Sequence, residues 1–508
     1  MAETKINRMN NFRDDRLNLI APVMLLWGIA LLGGCAFLWY DSGSEFFGDY
    51  YLLPWCLISG IVILAPSAYF LHKGQFNLFN PLVFAAWSYI FPAFVIGGVM
   101  LSFGWSDPYY LTFVENPRYE LPLSLMYVTL GYLGIVVGYF LSPAKKFGKF
   151  LERRLPRWDW QPSEVWLGGL LLIVAGFGIN ILGFIRGIVG FQRAESVEAF
   201  DGLLIFLLIV LSEGTVLLWL AVFQTKQRTG VFYLVLAILI AIIPLRVAVL
   251  GSRSGFVLSL FPIVMAFVFS GRKLKWQHTT ILSVGLVIAV CVGMIYGTTF
   301  RNIKGSEDRI NAGDYFGQVA ATIEYLSETD PLLILEEGAQ AMALRVENLS
   351  AVGVVVSNYE KLAPYEEAYG LQNNIINDLL YSFVPRFIYP EKPNTSDTRA
   401  YSDLYFNYGE NAWTVTPFGD LLRNFGPIGI PLGMMLVGMY LRVIYSTLIE
   451  TENPAMWKTV AYYPLLTVIS YESFYAILFP SIIRVLFVLV ISLWLVNLTV
   501  KLMKRAGK

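Results

Sequence analysis

Apolar runs long enough to cross a lipid bilayer recur along most of the chain. A transmembrane helix needs about 20 mainly apolar residues to span ~30 Å of hydrocarbon. Runs of about that length occupy residues 17–40, 50–71, 81–102, 121–142, 163–185, 202–223, 230–249, 254–270, 279–299, 425–445, 459–477 and 480–500. The pattern predicts an all-α polytopic membrane protein with about twelve transmembrane helices.

The same pattern divides the chain into three parts. Nine predicted helices lie in residues 1–299 and three lie in 419–508, with a long interval at 300–418 between them. Segments of this interval, such as "YFGQVAATIEYL", carry apolar residues at helical spacing. We therefore expect one large helical loop between the ninth and tenth transmembrane helices. Composition agrees with a membrane protein, because only 15 % of the residues are charged, against about a quarter in soluble domains.

Lysine and arginine orient the predicted helices, because cytoplasmic loops carry an excess of both. The run "PAKKFGKFLERRLPRWDW" at 143–160 and the final "KLMKRAGK" fall on one side when the N-terminus is cytoplasmic. Both termini are then cytoplasmic, and the 300–418 loop is periplasmic. Residues 301–418 hold 17 acidic and 8 basic side chains, which argues against a nucleic-acid partner.

Two arginines stand out in the apolar stretch "AIIPLRVAVLGSRSGFVLSLFPIV" at 241–264. A charge within the bilayer costs several kcal/mol, although arginines near helix ends can extend their charge to lipid headgroups. Arg246 would lie in the outer third of the seventh helix and Arg253 at the turn into the eighth. The small residues around Arg253 leave room for a ligand, and guanidinium groups bind phosphate oxygens in bidentate fashion.

Other charged residues are predicted at a similar depth. Glu213 falls in the sixth helix, Glu472 in the outer part of the eleventh and Arg484 at the start of the twelfth. Asp420 and Arg423 lie at the entry to the tenth helix. Ion pairs between helices would explain each of them as well as a role in an outer site would, so both interpretations stay open.

The positions of histidine limit the chemistry of an outer site. His72 and His278 fall in or beside cytoplasmic loops, so a periplasmic site cannot use imidazole as a base or metal ligand. The sequence shows no zinc-type cluster and no Gly-rich nucleotide loop, and we predict neither metal nor cofactor. A general base must then be a carboxylate. The candidates are Glu410 in "YFNYGENAW" and Asp420, although a carboxylate at a helix start is also a good helix cap.

Three segments together resemble a known family. They are "GSRSGFVLSL", "FVPRFIYPEKPN" and "TPFGDLLRNFGPIGIPLGM". Their order and setting resemble the Wzy-type O-antigen or oligosaccharide repeat-unit polymerases over about residues 240–440. The resemblance implies a glycosyltransferase of the bacterial inner membrane that moves a growing glycan from undecaprenyl diphosphate onto the next lipid-linked repeat unit.

This reaction gives roles to the candidate residues and implies partners. Asp420 and Glu410 are the expected catalytic residues, and the basic and aromatic groups nearby are the expected ligands of diphosphate and glycan. These expected ligands are Arg253, Arg246, Arg386, Arg301, Arg423, Tyr389 and Lys392. The expected partners are the undecaprenyl-diphosphate-linked oligosaccharide, the lipid bilayer, a chain-length regulator and a flippase.

Three other classes of protein stay open. A transporter or flippase of lipid-linked glycans would use many helices with buried charges equally well. An O-antigen ligase-like transferase would share the architecture, but the ligases depend on a histidine in the outer loop, which this chain lacks by the predicted topology. A non-catalytic scaffold would use the long loop as a docking surface.

Overall fold

The computed structural model describes most of the chain beyond residue 50. The described residues are 50–186, 201–272 without 227 and 251–254, 312–381, 396–409, 413–451 and 454–506, together with isolated positions at 25–36, 277–303 and 384–391. All regular elements in this part are helices. They agree with the predicted all-α class.

Seven of the described helices are long and apolar enough to cross a membrane. They comprise α1 (Leu53–His72), α2 (Pro81–Ser102), α3 (Pro117–Phe140), α5 (Trp166–Ile185), the pair α6 (Asp201–Leu207) and α7 (Ile209–Gln224), α15 (Pro417–Leu448) and α17 (Tyr475–Ala506). The predicted spans at 17–40 and 279–299 lie mostly outside the described residues, so the total of twelve stays a prediction.

Other helices complete the described part of the chain. Two apolar ones are α8 (Gly230–Leu250) and α9 (Gly255–Phe269), and a third, α16, spans Met456–Thr467. The basic run forms α4 (Ser142–Arg154). The long interval contains α10 (Ala312–Glu328), α11 (Pro331–Val346), α12 (Leu349–Leu362), α13 (Asn374–Tyr381) and α14 (Thr398–Phe406).

Helices α3 and α15 pack backbone to backbone through glycines. A methyl group built on Gly138 would lie 2.0 Å from the carbonyl oxygen of Met435, and one on Gly134 would lie 2.4 Å from that of Pro431. Only residues without a side chain permit such an approach, which is a common way for membrane helices to associate. Since the residue numbers rise together along both helices, α3 and α15 run parallel.

Helix α15 folds back on itself at Gly426. Gly426 has φ 68° and ψ −169°, a conformation that glycine adopts without strain, and Pro427 then begins the second segment at a position that suits proline. A methyl group on Gly433 would lie 2.4 Å from the Leu421 side chain. A continuous helix would separate these two residues by about 18 Å, so the 417–425 segment lies alongside 427–448.

The two ends of the helix bundle differ in character. At one end the start of α15 packs against α12, and the start of α17 packs against α13. At the other end α15 packs against α4, where Thr447 donates to the Gly148 carbonyl at 3.1 Å, and Lys504 of α17 pairs with Glu164 at 3.2 Å. We refer to these as the loop end and the basic end. The 300–418 loop and the basic run thus contact opposite ends of the same helices.

Helix α12 lies inside the bundle, although it belongs to the predicted loop. Its residues from Leu349 to Val355 are all buried, and the Asn348 amide donates to the Ala93 carbonyl of α2 at 3.1 Å. Gly97 of α2 leaves room for the backbone of Glu347. The long interval therefore does not merely cover the bundle, because one of its helices packs among the membrane helices.

Candidate functional site

Asp420 lies at the loop end, fully buried and held by four hydrogen bonds. Its Oδ1 accepts from Arg423 at 2.7 Å, from the Asn374 amide at 3.2 Å and from the Asn424 amide at 3.2 Å. Its Oδ2 accepts from the backbone N–H of Ala476 at 3.1 Å. Helix starts leave such N–H groups without partners. Asp420 therefore caps α17 while pairing with Arg423, which is a structural role.

Arg423 is enclosed by acceptors. Its Nη1 donates to the Leu371 carbonyl at 3.0 Å and pairs with Glu366 at 3.0 Å. Its Nη2 donates to the Asn374 side chain at 2.7 Å as well as to Asp420. The side chain is inaccessible to solvent. With two carboxylates against it, Arg423 neutralises buried negative charge and is not exposed to a diphosphate.

Glu366 extends this cluster into the loop. Tyr405 of α14 donates to Glu366 Oε1 at 2.8 Å. Burial raises the pKa of Glu366, and the neighbouring Arg423 opposes that rise. The guanidinium of Arg423 also lies 5.9 Å from the Tyr401 ring. Residues from α13, α14 and α15 thus form one network, which we call the Asp420 network.

Residues on both sides of the Pro-rich segment 382–395 belong to this network. Before the segment, Asn374 and Asp378 lie on α13; after it, Ser396 precedes α14. Ser396 donates to Asp378 and accepts from Asn374 at 3.1 Å. Asn374 itself bonds Asp420. Residues that flank one segment of the family resemblance, 383–394, are therefore hydrogen-bonded to the start of α15, which carries another.

Several predicted ligands lie outside the described residues. They are Arg253, Arg301, Arg386, Lys392 and the candidate base Glu410; Arg246 lies in α8, but its side chain is not among those described. Tyr389 is described and exposed, with its ring 6.4 Å from that of Tyr381.

Arg484 and Glu213 lie within membrane helices. Arg484 of α17 stacks on the Phe206 ring, with its guanidinium carbon 4.4 Å from the ring centroid. Glu213 of α7 is fully buried and accepts a hydrogen bond from Ser492 of α17. Its Oε1 is buried without a hydrogen-bond partner in the described part of the chain. Arg484 also lies within electrostatic range of Asp378 on α13, beside the Asp420 network.

Glu472 belongs to a second polar cluster, which sequence reasoning found only in part. It forms an ion pair with Arg345 at the end of α11. Tyr89 of α2 lies within electrostatic range of both charges. Arg345 and Tyr89 were not among the predicted site residues. The only signal for Arg345 is its isolation as a basic residue between Arg309 and Lys361, and Tyr89 lies in an apolar run without any signal.

No group of three or more metal-ligating side chains occurs among the described residues. No protein-family model matches this chain, and neither a curated protein nor a solved structure matches it. The assignment of function therefore depends on the geometry of the described residues and on the sequence motifs.

Proposed function

We propose that the protein is a glycosyltransferase that polymerises undecaprenyl-diphosphate-linked oligosaccharide units at the periplasmic face of the bacterial inner membrane. One observation carries the proposal. The start of α15, which carries one of the segments that resemble repeat-unit polymerases, bonds at the loop end to Asn374 and through it to Ser396, residues that precede and follow the "FVPRFIYPEKPN" segment. The loop end is also opposite the basic helix α4, as a periplasmic site requires.

The proposed reaction needs cations beside the leaving group. An acceptor hydroxyl oxygen bonds to the anomeric carbon of the donor glycan while the bond from that carbon to the diphosphate oxygen breaks. The bond electrons leave with the diphosphate, whose negative charge arginines can stabilise. The proposed ligands are Arg246 and Arg253 before the long loop, Arg301 at its start, and Arg386 and Lys392 in the Pro-rich segment. Tyr389 offers an exposed ring for a sugar.

The Asp420 network has a different part in this proposal. Its charged groups are buried and paired, so Arg423 and Asp420 hold α13 and α17 in place. Glu410 stays a candidate base. The proton of the acceptor hydroxyl passes to a carboxylate, and no metal or cofactor is needed for this step. The chain-length regulator and the flippase stay proposed partners.

Membrane vesicles test the proposal. Vesicles that contain the protein receive lipid-linked repeat units extracted from a strain that lacks its gene. A polymerase lengthens the glycan, a flippase moves the lipid between leaflets, and a scaffold does neither. Unchanged glycan length with active transbilayer movement would refute the polymerase and support the flippase.

A flippase is the second candidate, and Glu213 is the observation that favours it. An ionisable side chain in the middle of a membrane helix often marks a transport pathway. Glu213 is buried with one oxygen unbonded among the described residues. Glu213→Gln should leave polymerisation unchanged if the first proposal is correct, whereas a flippase that uses this carboxyl would lose transport.

Arg253 provides the sharpest test of the proposed ligands. Arg253→Lys keeps the charge but loses the bidentate fork, so we expect it to lose most polymerisation activity and Arg253→Ala to lose nearly all. Activity is measured in the vesicle assay at equal protein level. Arg118→Lys, an exposed arginine at the start of α3, is the matched control and should retain full activity. Normal polymer length in Arg253→Ala would instead indicate that Arg253 only extends its charge to the lipid headgroups.

A further inference from the structure

The predicted eleventh helix is broken in the structure. Helix α16 ends at Thr467, and an irregular segment, 468–474, leads to α17. Twelve helical residues span only about 18 Å. Tyr440 of α15 donates to the carbonyl of Leu465 at 2.8 Å, so α16 ends roughly 20 Å along α15 from Gly426. Non-helical backbone at such a depth is tolerated only where protein buries it or where it lines a polar cavity.

The broken segment presents polar groups that ligands can reach. Ser470, Glu472 and Ser473 are each partly exposed, and Thr467 is exposed. Ser470 Oγ accepts from the Glu472 amide at 3.3 Å and bonds Ser473 Oγ at 3.1 Å. These bonds fix the local backbone and leave the Glu472 carboxylate directed towards Arg345.

Arg345 pairs with Glu472, and Tyr89 lies within electrostatic range of both. The Arg345 side chain is 56 % exposed and that of Glu472 is 34 % exposed, so this ion pair is open to solvent, unlike the Asp420 network. Tyr89 lies in a π-helical stretch of α2, Ala86–Ile96, a helix type that is often found at functional sites. Its hydroxyl is buried without a hydrogen-bond partner among the described residues. We call Tyr89, Arg345, Ser470, Glu472 and Ser473 the polar cleft.

We propose that the polar cleft binds the acceptor sugar and that Glu472 is the general base for its hydroxyl. This inference rests on the proposed polymerase function and adds the acceptor site to it. A sugar offers hydroxyl donors and acceptors, which match the carboxylate, the guanidinium, the serine hydroxyls and the unbonded Tyr89 hydroxyl. Asp420 has donors on both carboxylate oxygens, whereas Glu472 Oε2 has no hydrogen bond from any described residue.

The proposed step transfers a proton to Glu472 and releases the diphosphate. The acceptor hydroxyl gives its proton to Glu472 as its oxygen bonds to the anomeric carbon of the donor. The bond between that carbon and the diphosphate oxygen breaks, and its electrons leave with the diphosphate. Glu472 then returns the proton to water. Arg345 orients the carboxylate and holds the acceptor, because it retains donors after pairing with one carboxylate oxygen.

The rate arm of the test uses Glu472→Gln. Single-turnover polymerisation is measured with lipid-linked repeat units in nanodiscs, at equal amounts of folded protein. Loss of a general base costs about 10²- to 10⁴-fold in rate, so we expect at least a 100-fold loss. Glu337→Gln, which removes an exposed carboxylate from α11, should retain the wild-type rate. A wild-type rate in Glu472→Gln overturns the assignment of the base.

The binding arm does not depend on catalysis. Mild acid releases the soluble oligosaccharide from the same lipid, and its affinity for the purified protein is measured by calorimetry. Glu337→Gln, the exposed control on α11, should bind it as wild type does. Tyr89→Phe, which removes only the hydroxyl, should bind it about fivefold more weakly, because a hydrogen bond contributes about 1 kcal/mol. Equal affinity in Tyr89→Phe and wild type would overturn the cleft as the sugar site.

The two arms separate the possible failures. If wild-type protein does not lengthen the glycan, the polymerase function and the base both fall, and the binding arm still decides whether the cleft holds sugar. If wild-type protein polymerises and Glu472→Gln does so equally well, the function stands and this inference falls. A thermal unfolding curve for each variant shows that a lost rate is not a lost fold; if Glu472→Gln is unfolded, Glu472→Asp takes its place and should retain part of the rate.

Discussion

Asp420 holds three helices together at one point. It lies in the first turn of α15, accepts a hydrogen bond from Asn374 of α13, and caps α17 by accepting from the amide of Ala476. The positive charge that balances it, on Arg423, is also buried and shared with Glu366. Taking charges out of water is costly, so removing one member leaves its partner uncompensated. This geometry gives Asp420 a larger effect on folding than on chemistry.

Asp420→Asn is therefore expected to lower stability strongly. Breaking a buried ion pair costs about 3 to 5 kcal/mol, although Glu366 retains part of the pairing. Thermal unfolding in detergent measures the loss, and the activity per folded molecule should stay near wild type. Asp330→Asn is the control, because Asp330 is an exposed cap at the start of α11 and asparagine caps equally well. A variant of normal stability without activity would restore Asp420 as the base.

Glu347 makes stability depend on pH. It lies outside the membrane-spanning helices, buried between α11 and α12, where burial raises its pKa to about 7 against hydrogen bonds from Ser350 and Leu349. Between the ordinary value of 4.5 and about 7, the folded state retains a proton that the unfolded state has lost. This contribution to stability therefore falls as pH rises through that window and is constant above it.

Glu347→Gln should remove this pH dependence. Thermal unfolding temperatures of the purified protein are compared at pH 5 and pH 7.5. We expect the difference between the two to be smaller in Glu347→Gln than in wild type, because the amide does not titrate. Glu328→Gln, at an exposed position on α10, should behave like wild type. If the two unfolding temperatures differ by as much in Glu347→Gln as in wild type, the Glu347 carboxyl has the same pKa in the folded and unfolded states.

At the scale of elements, hydropathy predicted which stretches are helical better than it predicted where they break. The apolar runs at 81–102, 163–185 and 202–223 match described helices closely. The run at 459–477 does not, because α16 ends at Thr467. Ser470, Glu472 and Ser473 make the end of this run polar, but the start of the next helix depends on a partner far away in sequence: Asp420 accepts a hydrogen bond from the amide of Ala476. A window of neighbouring residues does not contain that information.

The candidate site shows the same limit. The sequence placed Asp420 and Arg423 correctly at the start of a helix, since proline, glycine and charge coincide there. It gave no indication that Glu366 and Asn374 complete their bonding, because both come from the long loop. Arg423 forms a buried ion pair and Arg345 an exposed one. This difference depends on which helices cover each arginine.

The contact between α3 and α15 is the element-level feature that is easiest to disturb. Gly138→Ala places a methyl group 2.0 Å from the Met435 carbonyl oxygen, and overpacking of this kind costs about 1 to 3 kcal/mol. Thermal unfolding in detergent should show a lower midpoint. Gly178→Ala is the matched control, because a methyl group there meets nothing within 4 Å and alanine favours helix. Equal midpoints for both variants would mean that the two helices separate at little cost.

At the scale of the whole molecule, the long interval and the basic helix α4 contact opposite ends of the bundle. This arrangement agrees with the predicted topology. Exposed cationic side chains of α4 lie at one end, while the acidic long interval packs at the other. The sequence predicted this from lysine and arginine alone. The direction in which the molecule crosses the membrane stays a prediction, because the geometry is the same for either orientation.

Cysteine labelling decides the orientation. Glu337→Cys on α11 and Lys149→Cys on α4 are both exposed positions, each introduced after replacement of Cys35, Cys56 and Cys291 by alanine. A membrane-impermeant maleimide should label Glu337→Cys in intact spheroplasts and Lys149→Cys only after lysis. The reverse pattern would place the long interval in the cytoplasm and remove the proposed periplasmic site.

The glycine contact also determines which parts of the molecule can move. Side chains that interdigitate can slide past one another, but two backbones in direct contact have no compressible layer between them. We therefore expect helices α3 and α15 to move as one rigid unit, to which α4 is fixed at the basic end. In the proposed polymerase, a bulky lipid-linked chain has to enter and leave by some opening. We propose that this opening forms at the irregular segment between α16 and α17, beside Glu472, so that the lateral gate and the proposed acceptor site would share one hinge.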